Sequence, residues 1–185
     1  MLPLAPEFVV NTDGSSKQDC ETNAGKRMIN RLRRTHRQLP AIIVADSLYS
    51  KEPFIQMLTG LRFSFILVAK PKDHKSLFED IAGLRRGKRL ETWQYRDKQG
   101  RVHRYEWVNA VPLNGNPNSP EVNFVEYWIM GKNGGIGFHN SWVTDIEISK
   151  DNVAQVVKGG RARWKVESAP QAHRKEVHNG LKLCA

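Results

Sequence analysis

Three kinds of feature are scarce in this sequence, and each scarcity excludes a class of protein. The 185 residues include only two cysteines, Cys20 and Cys184, so neither a disulfide framework nor a cysteine-rich zinc cluster is expected. No apolar run approaches the roughly 20 residues that a membrane-spanning helix requires, and the first residues lack the basic leader and apolar segment of a signal peptide. We therefore expect a protein of the reducing cytoplasm that does not enter membranes.

Acidic residues are the third scarce feature. Only 19 Asp and Glu residues stand against 29 Lys and Arg residues, which gives a net charge of +10 and an isoelectric point near 9.8. Such an excess favours a polyanionic partner, and nucleic acid is the first candidate. An anionic membrane surface is disfavoured, because no basic helix in the sequence has a strongly apolar opposite face.

A strand, a helix and a second strand follow one another in the first half of the chain. The runs "AIIVA" and "FSFILVA" are short, apolar and rich in β-branched or aromatic residues, which indicates buried strands. The stretch "KEPFIQMLTGL" between them has helical spacing, so the two strands are expected to pair in parallel. Further helices are predicted for the basic segment of residues 17–38, for residues 73–84 with Asp73 as N-cap, and for residues 151–167.

From residue 89 to residue 149 the sequence becomes rich in β-strand signals. The runs "LETWQYR" and "RVHRYEWVNAV" flank residues 97–100, Asp-Lys-Gln-Gly, whose composition predicts a hairpin turn. The runs "EVNFVEYWIM" and "NSWVTDIEIS" supply two more strands, and Asp145 in the second of them is expected to face solvent. The last residues, 168–185, have little apolar periodicity and are predicted to be irregular.

Asp46 is the first candidate for chemistry, because it ends the apolar run "AIIVA". A carboxylate at the end of a buried strand is held by a rigid scaffold and still reaches solvent. The alternative is that Asp46 caps the following helix, since Asp is a common N-cap residue. Position and residue type alone leave both interpretations open. The six histidines and two cysteines show no metal-ligand spacing, so no zinc site is expected.

Seven phrases, taken in their order along the chain, carry a resemblance to a known family. They are "PEFVVNTDGSSKQDCETNAGKR", "IIVADSLYS", "FILVAKPKDHKSLFE", "HRYEWVNAVPLN", "VNFVEYW", "SWVTDIEIS" and "GRARWKVE". Together they resemble the second half of a DDE transposase of bacterial insertion sequences, in the branch whose ribonuclease-H-like core is interrupted by a β-rich insertion. The resemblance covers residues 1 to about 167, and the shared order is far more specific than any single phrase.

The resemblance implies a partial ribonuclease-H-like α/β domain with a definite set of site residues. Core segments would be residues 1–88 and 150–167, with the β-rich insertion at 89–149, outside the core sheet, and the irregular tail at 168–185. The family uses three acids to hold two divalent metal ions, Mg²⁺ or Mn²⁺, which clamp the oxygens of a phosphoryl transfer. By resemblance, Asp46 matches the second acid and Glu167 the third, so these two carboxylates would be catalytic metal ligands. They are expected to point into one cleft.

Basic residues near the third acid match the family as well. Arg163 lies four residues before Glu167, as in the family signature, where it would pair with the acid or with a DNA phosphate. A simple surface ion pair is the alternative role for these two residues. The predicted DNA-binding residues are Arg163, Arg161 and Lys165 near the third acid, and Lys70 in a basic cluster, for which a solvated charged face is the alternative.

The sequence also departs from the family pattern. Gly160 stands where the family has a tyrosine, Arg174 and Lys175 are the only candidates for its later lysine, and no residue before Asp46 fits the first acid. We therefore expect a truncated transposase that does not cleave DNA by itself, located in the cytoplasm with the nucleoid. Its partner would be the ends of an insertion sequence, and intact relatives would act in a synaptic assembly. The alternative is a non-catalytic DNA-binding protein that uses the basic helix of residues 26–37 and the insertion.

Overall fold

The β-branched and aromatic runs assemble one mixed sheet with helices on both faces. The computed structural model describes Glu7, residues 20–116 and 118–162, and the backbone of residues 182–184. The predicted mixed α/β class is confirmed. The helices are α1 (Glu21–Thr35), α2 (Glu52–Gly60), α3 (Lys75–Arg86) and α4 (Val153–Arg161), and the strands are β1 (Ile42–Ala45), β2 (Ser64–Val68), β3 (Glu91–Arg96), β4 (Val102–Pro112), β5 (Glu121–Met130), β6 (Ile136–Thr144) and β7 (Lys182–Cys184).

The sheet has the strand order β3-β4-β5-β6-β2-β1-β7. Strands β1 and β2 are parallel, as the strand-helix-strand pattern predicts, and all the other neighbouring pairs are antiparallel. The predicted hairpin at residues 97–100 is confirmed, since β3 and β4 pair on either side of it. Strand β7 lies within the tail that was predicted to be irregular, so that prediction fails for residues 182–184.

The β-rich section is part of the main sheet. We expected it to lie outside the core sheet, but β6 pairs with β2 over three residues, with Val68 opposite Trp142. That expectation is therefore wrong. The physical reason is that β2 is a buried strand whose second edge needs a hydrogen-bonding partner, and β6 supplies it. Strands β3 to β6 thus continue the sheet that β1 and β2 begin.

Side chains along each strand point alternately to the two faces of the sheet, so the core forms two layers. Ile43, Phe65 and Phe124 face one side of the sheet, where they pack with the apolar stripes of α1, α2 and α3. Val44 and Trp142 face the other side, where they pack with α4. Helix α1 lies within the segment of residues 17–38 that was predicted to be helical. Its buried residues are Ala24, Gly25, Met28, Ile29 and Leu32.

Helix α4 approaches the sheet closely because two glycines face it. A Cβ atom placed on Gly160 would lie 2.6 Å from Nε1 of Trp142, and one placed on Gly159 would lie 3.0 Å from Cδ1 of Ile66. Real Cβ atoms do not approach other heavy atoms to 2.6 Å, so a side chain at residue 160 would push the helix off the indole. This contact gives a physical reason for glycine where the resembled family has a tyrosine.

Two sequence predictions about element ends need correction. Asp73 is not the N-cap of α3, because the N-cap residue is His74 and it makes no side-chain capping hydrogen bond. Asp73 instead lies 3.6 Å from Nζ of Lys51. The last strand of the β-rich section begins earlier than predicted and ends at Thr144. Among the described residues, no helix has the length and apolar character needed to cross a membrane.

Candidate functional site

Asp46 lies at the carboxyl end of β1, as the sequence predicts. Its Oδ1 atom accepts a hydrogen bond from the backbone N–H of Leu48 at 3.0 Å, and its carbonyl oxygen accepts one from Tyr49 at 3.2 Å. The side chain therefore closes a turn of its own strand-end loop. It does not cap a helix, because α2 starts six residues later with Lys51 as its N-cap residue. The alternative that Asp46 caps the following helix is therefore wrong.

The loops after β1 and β2 are tied together by a buried hydrogen bond. Oγ of Ser50 lies 2.7 Å from Nε2 of His74, and the same hydroxyl donates to the carbonyl of Ser47 at 2.9 Å. Since the serine proton goes to Ser47, the imidazole donates from Nε2. Both side chains are buried. Because β1 and β2 are parallel, their carboxyl ends lie at one edge, and this bond fixes the two loops there.

His74 is held in its neutral form. Burial lowers the pKa of its imidazole, the positive charge of Lys51 lowers it further, and Asp73 acts in the opposite direction. Its Nδ1 atom is buried and has no hydrogen-bond partner among the described residues. A proton added to Nδ1 would therefore meet neither water nor an acceptor, which is costly in a buried site.

Lys70 and Arg161, two of the predicted DNA-binding residues, lie at or near the same edge. Lys70 is exposed and follows the end of β2 by two residues. Arg161 is the last residue of α4, and its guanidinium lies 4.5 Å from the ring centroid of Phe138 and 5.6 Å from that of Tyr127. Its position is thus fixed by cation–π contacts, which leave the charge partly accessible.

The other predicted site residues are Arg163, Lys165 and Glu167, and they lie outside the described residues. The expectation that Asp46 and Glu167 share a cleft stays a prediction. Within the described residues, no group of three or more His, Cys, Asp or Glu side chains is placed to hold a metal ion. Of the two predicted metal ligands, Asp46 and Glu167, the described residues therefore include only Asp46. By themselves they do not fit a centre that holds two metal ions.

The basic surface of α1 is partly engaged within the protein. Arg27 and Arg31 bind the carboxylate of Glu7 at 2.9 and 2.8 Å. Arg33 donates to the backbone carbonyl of Arg62 at 3.0 Å and so joins the helix to the loop before β2. Three of the arginines expected to contact DNA thus have internal partners. The exposed basic side chains of this segment include Arg34 and Arg37.

A buried charge network on the sheet was missed by the sequence interpretation. Glu106 and Glu126 face each other on β4 and β5 and are almost fully buried. Arg85 bridges them, with Nε 2.7 Å from Glu106 and Nη2 2.5 Å from Glu126. His139 binds Glu126 at 2.6 Å, and Arg104 binds Glu106. The available signal was a glutamate within an aromatic strand, in "YEW" and again in "VEY".

Asp145, which the sequence predicts to face solvent, has a structural role. The residue is exposed, as predicted, and its Oδ1 atom accepts the backbone N–H of Phe65 at 2.7 Å. This bond satisfies a donor at the start of β2, close to where the β2–β6 pairing ends. Asp145 is therefore at the opposite end of β2 from the edge that carries Asp46.

Known proteins offer no counterpart to this geometry. No family model, no curated protein and no solved structure matches the chain. The features that bear on function are therefore the edge formed by the loops after β1 and β2, helix α4, which approaches this edge, and the charge around it.

Proposed function

We propose that this chain is a fragment of a DNA transposase with a partial ribonuclease-H-like core, and that it binds DNA without cleaving it alone. The observation that carries the proposal is the position of Asp46 at the carboxyl end of β1, next to a parallel β2. Ligand sites of α/β sheets lie at such carboxyl ends, because the loops there converge on a rigid edge. The resembled family has its second acid at this point.

The direction of α4 supports the same proposal. Gly160 contacts Trp142, which is opposite Val68 near the end of β2, and Arg161 lies over Phe138, farther along β6 in the same direction. The helix therefore runs toward the edge that carries Asp46. Glu167 follows Arg161 by six positions in the chain. In the resembled family the third acid belongs to the helix that packs against the sheet, and α4 is such a helix.

The metal ions that the resemblance implies are Mg²⁺ or Mn²⁺, and Asp46 and Glu167 would be their ligands. When bound, such ions stabilise the charge that develops on the oxygens of a phosphoryl transfer. Asp46 is a hard oxygen donor at a fixed strand end, which suits either ion. Since the described residues contribute no set of three ligands, no catalytic step is assigned to the chain itself.

The proposed partner is DNA at the ends of an insertion sequence, and no membrane is involved. The net charge of +10 supports a polyanion, and Lys70 adds an exposed positive charge in the loop after β2, beside the strand that Asp46 follows. The intact family would act in a synaptic assembly. The second candidate, a DNA-binding protein without a metal site, is favoured by the exposed arginines Arg34 and Arg37 on the basic segment of α1 and its C-terminal loop.

The DNA proposal is tested by fluorescence anisotropy of a labelled duplex at increasing salt. We expect sequence-tolerant binding whose affinity falls steeply, by about 10³-fold or more between 50 and 200 mM salt if six or more phosphates are neutralised. Lys70→Gln should weaken binding and reduce the salt slope by about 1. Lys150→Gln, which removes a charge next to α4's start, should change the slope less. No binding, or binding that salt does not weaken, rejects the proposal.

The two candidates are separated by a metal titration. Mn²⁺ binding to the whole chain is followed by electron paramagnetic resonance, with Asp80→Asn on the exposed face of α3 as the matched control. A transposase fragment should lose affinity for Mn²⁺ in Asp46→Asn and keep it in the control. Equal Mn²⁺ binding by both variants, together with intact DNA binding, would establish the non-catalytic candidate.

A further inference from the structure

We propose that two hairpin turns of the β-rich section form a second DNA-binding surface, separate from the Asp46 edge. The surface consists of residues 97–101, between β3 and β4, residues 131–135, between β5 and β6, and the first two residues of β6, Ile136 and Gly137; it is called the paired tip below. It rests on the proposed function in one respect, that the partner is DNA. The residues it uses lie outside the site described above.

The two turns of the paired tip lie side by side. Strands β4 and β5 are neighbours, with Val102 opposite Met130 at their turn-side ends. Lys132 crosses from one turn to the other, since a Cβ atom placed on Gly100 would lie 3.0 Å from its Cε. The stem of this lysine is thus supported by the neighbouring turn, and the residue is exposed.

The paired tip projects beyond the edge that carries Asp46. Strand β6 runs antiparallel to β2, with Trp142 opposite Val68, and it starts at Ile136, six residues earlier. At about 3.3 Å per residue, Ile136 lies roughly 20 Å beyond the end of β2. This is about six base-pair steps of duplex DNA, at 3.4 Å each. A duplex that runs from the edge in the strand direction therefore reaches both surfaces.

The charge of the paired tip suits a phosphate backbone. Within the paired tip there are three cationic side chains, Lys98, Arg101 and Lys132, against the one carboxylate of Asp97. Arg101 binds Asp97 at 2.7 Å, so that pair is internally neutral. Lys98 and Lys132 are exposed and are the two residues we assign to phosphate contact.

The shape of the second turn supports close approach of a partner. A Cβ atom placed on Gly135 would contact nothing within 4 Å, and this residue is not among the positive-φ glycines, so neither packing nor backbone conformation requires glycine here. Its neighbour Ile136 is 64% exposed, the largest exposure among the big apolar residues of the described chain. Strands β3 to β6 pair side by side at this end, so the paired tip is the end of a four-stranded sheet. The exposed side chain of Ile136 offers an apolar contact to groups such as the thymine methyl group of DNA.

The proposal is tested by charge-matched double variants of the whole chain. Lys98→Gln with Lys132→Gln removes both assigned contacts, and Lys88→Gln with Lys150→Gln removes two charges that lie away from the paired tip. Duplex binding is measured by anisotropy across a salt series, and circular dichroism verifies that each variant is folded. We expect the first double variant to lower the salt slope by about 2 and the control to lower it by less than about 1.

Ile136→Ser tests the apolar contact. It should weaken duplex binding severalfold at every salt concentration and leave the slope unchanged, because it removes no charge. Equal loss of binding in the two double variants would overturn the paired tip while leaving the DNA proposal intact. If the unaltered chain binds no DNA, the proposed function itself fails. Binding of anionic lipid vesicles in place of duplex would also overturn the assignment.

Discussion

Replacement of Gly160 by alanine is the sharpest test of how α4 packs on the sheet. The new Cβ atom would lie 2.6 Å from Nε1, 2.8 Å from Cε2 and 2.9 Å from Cδ1 of Trp142. Trp142 is fully buried in the core, so its ring has no space into which to retreat. Either α4 must move outward, or the indole must leave its rotamer.

The expected magnitude comes from two opposing effects. Alanine in a helix interior is favoured over glycine by about 1 kcal/mol, and by less at residue 160 because the helix ends at Arg161. Overpacking a filled core costs about 1–3 kcal/mol. Movement of α4 would also loosen Val156 and Val157, which are buried against the same layer. We therefore expect Gly160→Ala to lower the free energy of unfolding by about 1–2 kcal/mol.

Gly83→Ala on α3 is the matched control. A Cβ atom at Gly83 meets only Nη2 of Arg86, at 4.0 Å, so the same substitution there should stabilise the protein by up to about 1 kcal/mol. Urea unfolding followed by tryptophan fluorescence compares both variants with the unaltered chain. The packing argument would be refuted if Gly160→Ala proved as stable as Gly83→Ala.

Three further predictions follow from the charges and the site. The purified chain should not nick or join DNA with Mg²⁺ or Mn²⁺, and metal-dependent activity lost in Asp46→Ala would contradict this. The unfolding free energy should fall as the pH drops below about 6.5, because His74 takes up a proton more readily in the unfolded chain than in the folded protein, where burial lowers its pKa. In urea unfolding at several pH values, the unfolding free energy of His74→Gln should change less with pH than that of the unaltered chain. Arg85→Met should lower the free energy of unfolding by about 1–3 kcal/mol, because it removes the half-exposed guanidinium that bridges two buried carboxylates. An unchanged urea midpoint would show that Arg104 and His139 suffice to neutralise these carboxylates.

The parts of the fold that depend on local pattern could be predicted from the sequence. Short apolar runs on either side of a helical segment specified β1, α2 and β2, and their parallel pairing followed from the connection between them. The position of Asp46 at a strand end followed in the same way. In these cases the deciding interactions are between residues that are close in the chain.

The parts that failed depend on contacts between distant segments. Nothing in the sequence near Arg33 shows that its guanidinium joins the carbonyl of Arg62, 29 positions away. The continuation of the sheet from β2 into β6 pairs Ile66 with Thr144, and sequence periodicity carries no information about which strands become neighbours. Asp73 was expected to cap α3 because its residue type suits that role, but its carboxylate pairs with Lys51, which lies before α2 at the end of the loop after β1.

The pairing of β1 with β7 has a consequence for the order of folding. Val44 lies opposite Lys182, so the contact closes a loop of about 140 residues, and such non-local pairings form late. At about 5–20 residues per second, a ribosome needs roughly 7–28 s to add this stretch after β1 has been made. During that interval the backbone donors and acceptors along the outer edge of β1 have no β7 to pair with. A nascent chain with an open apolar strand edge is prone to pair with its neighbours on a polysome, and this exposure lasts until residues 182–184 have been made.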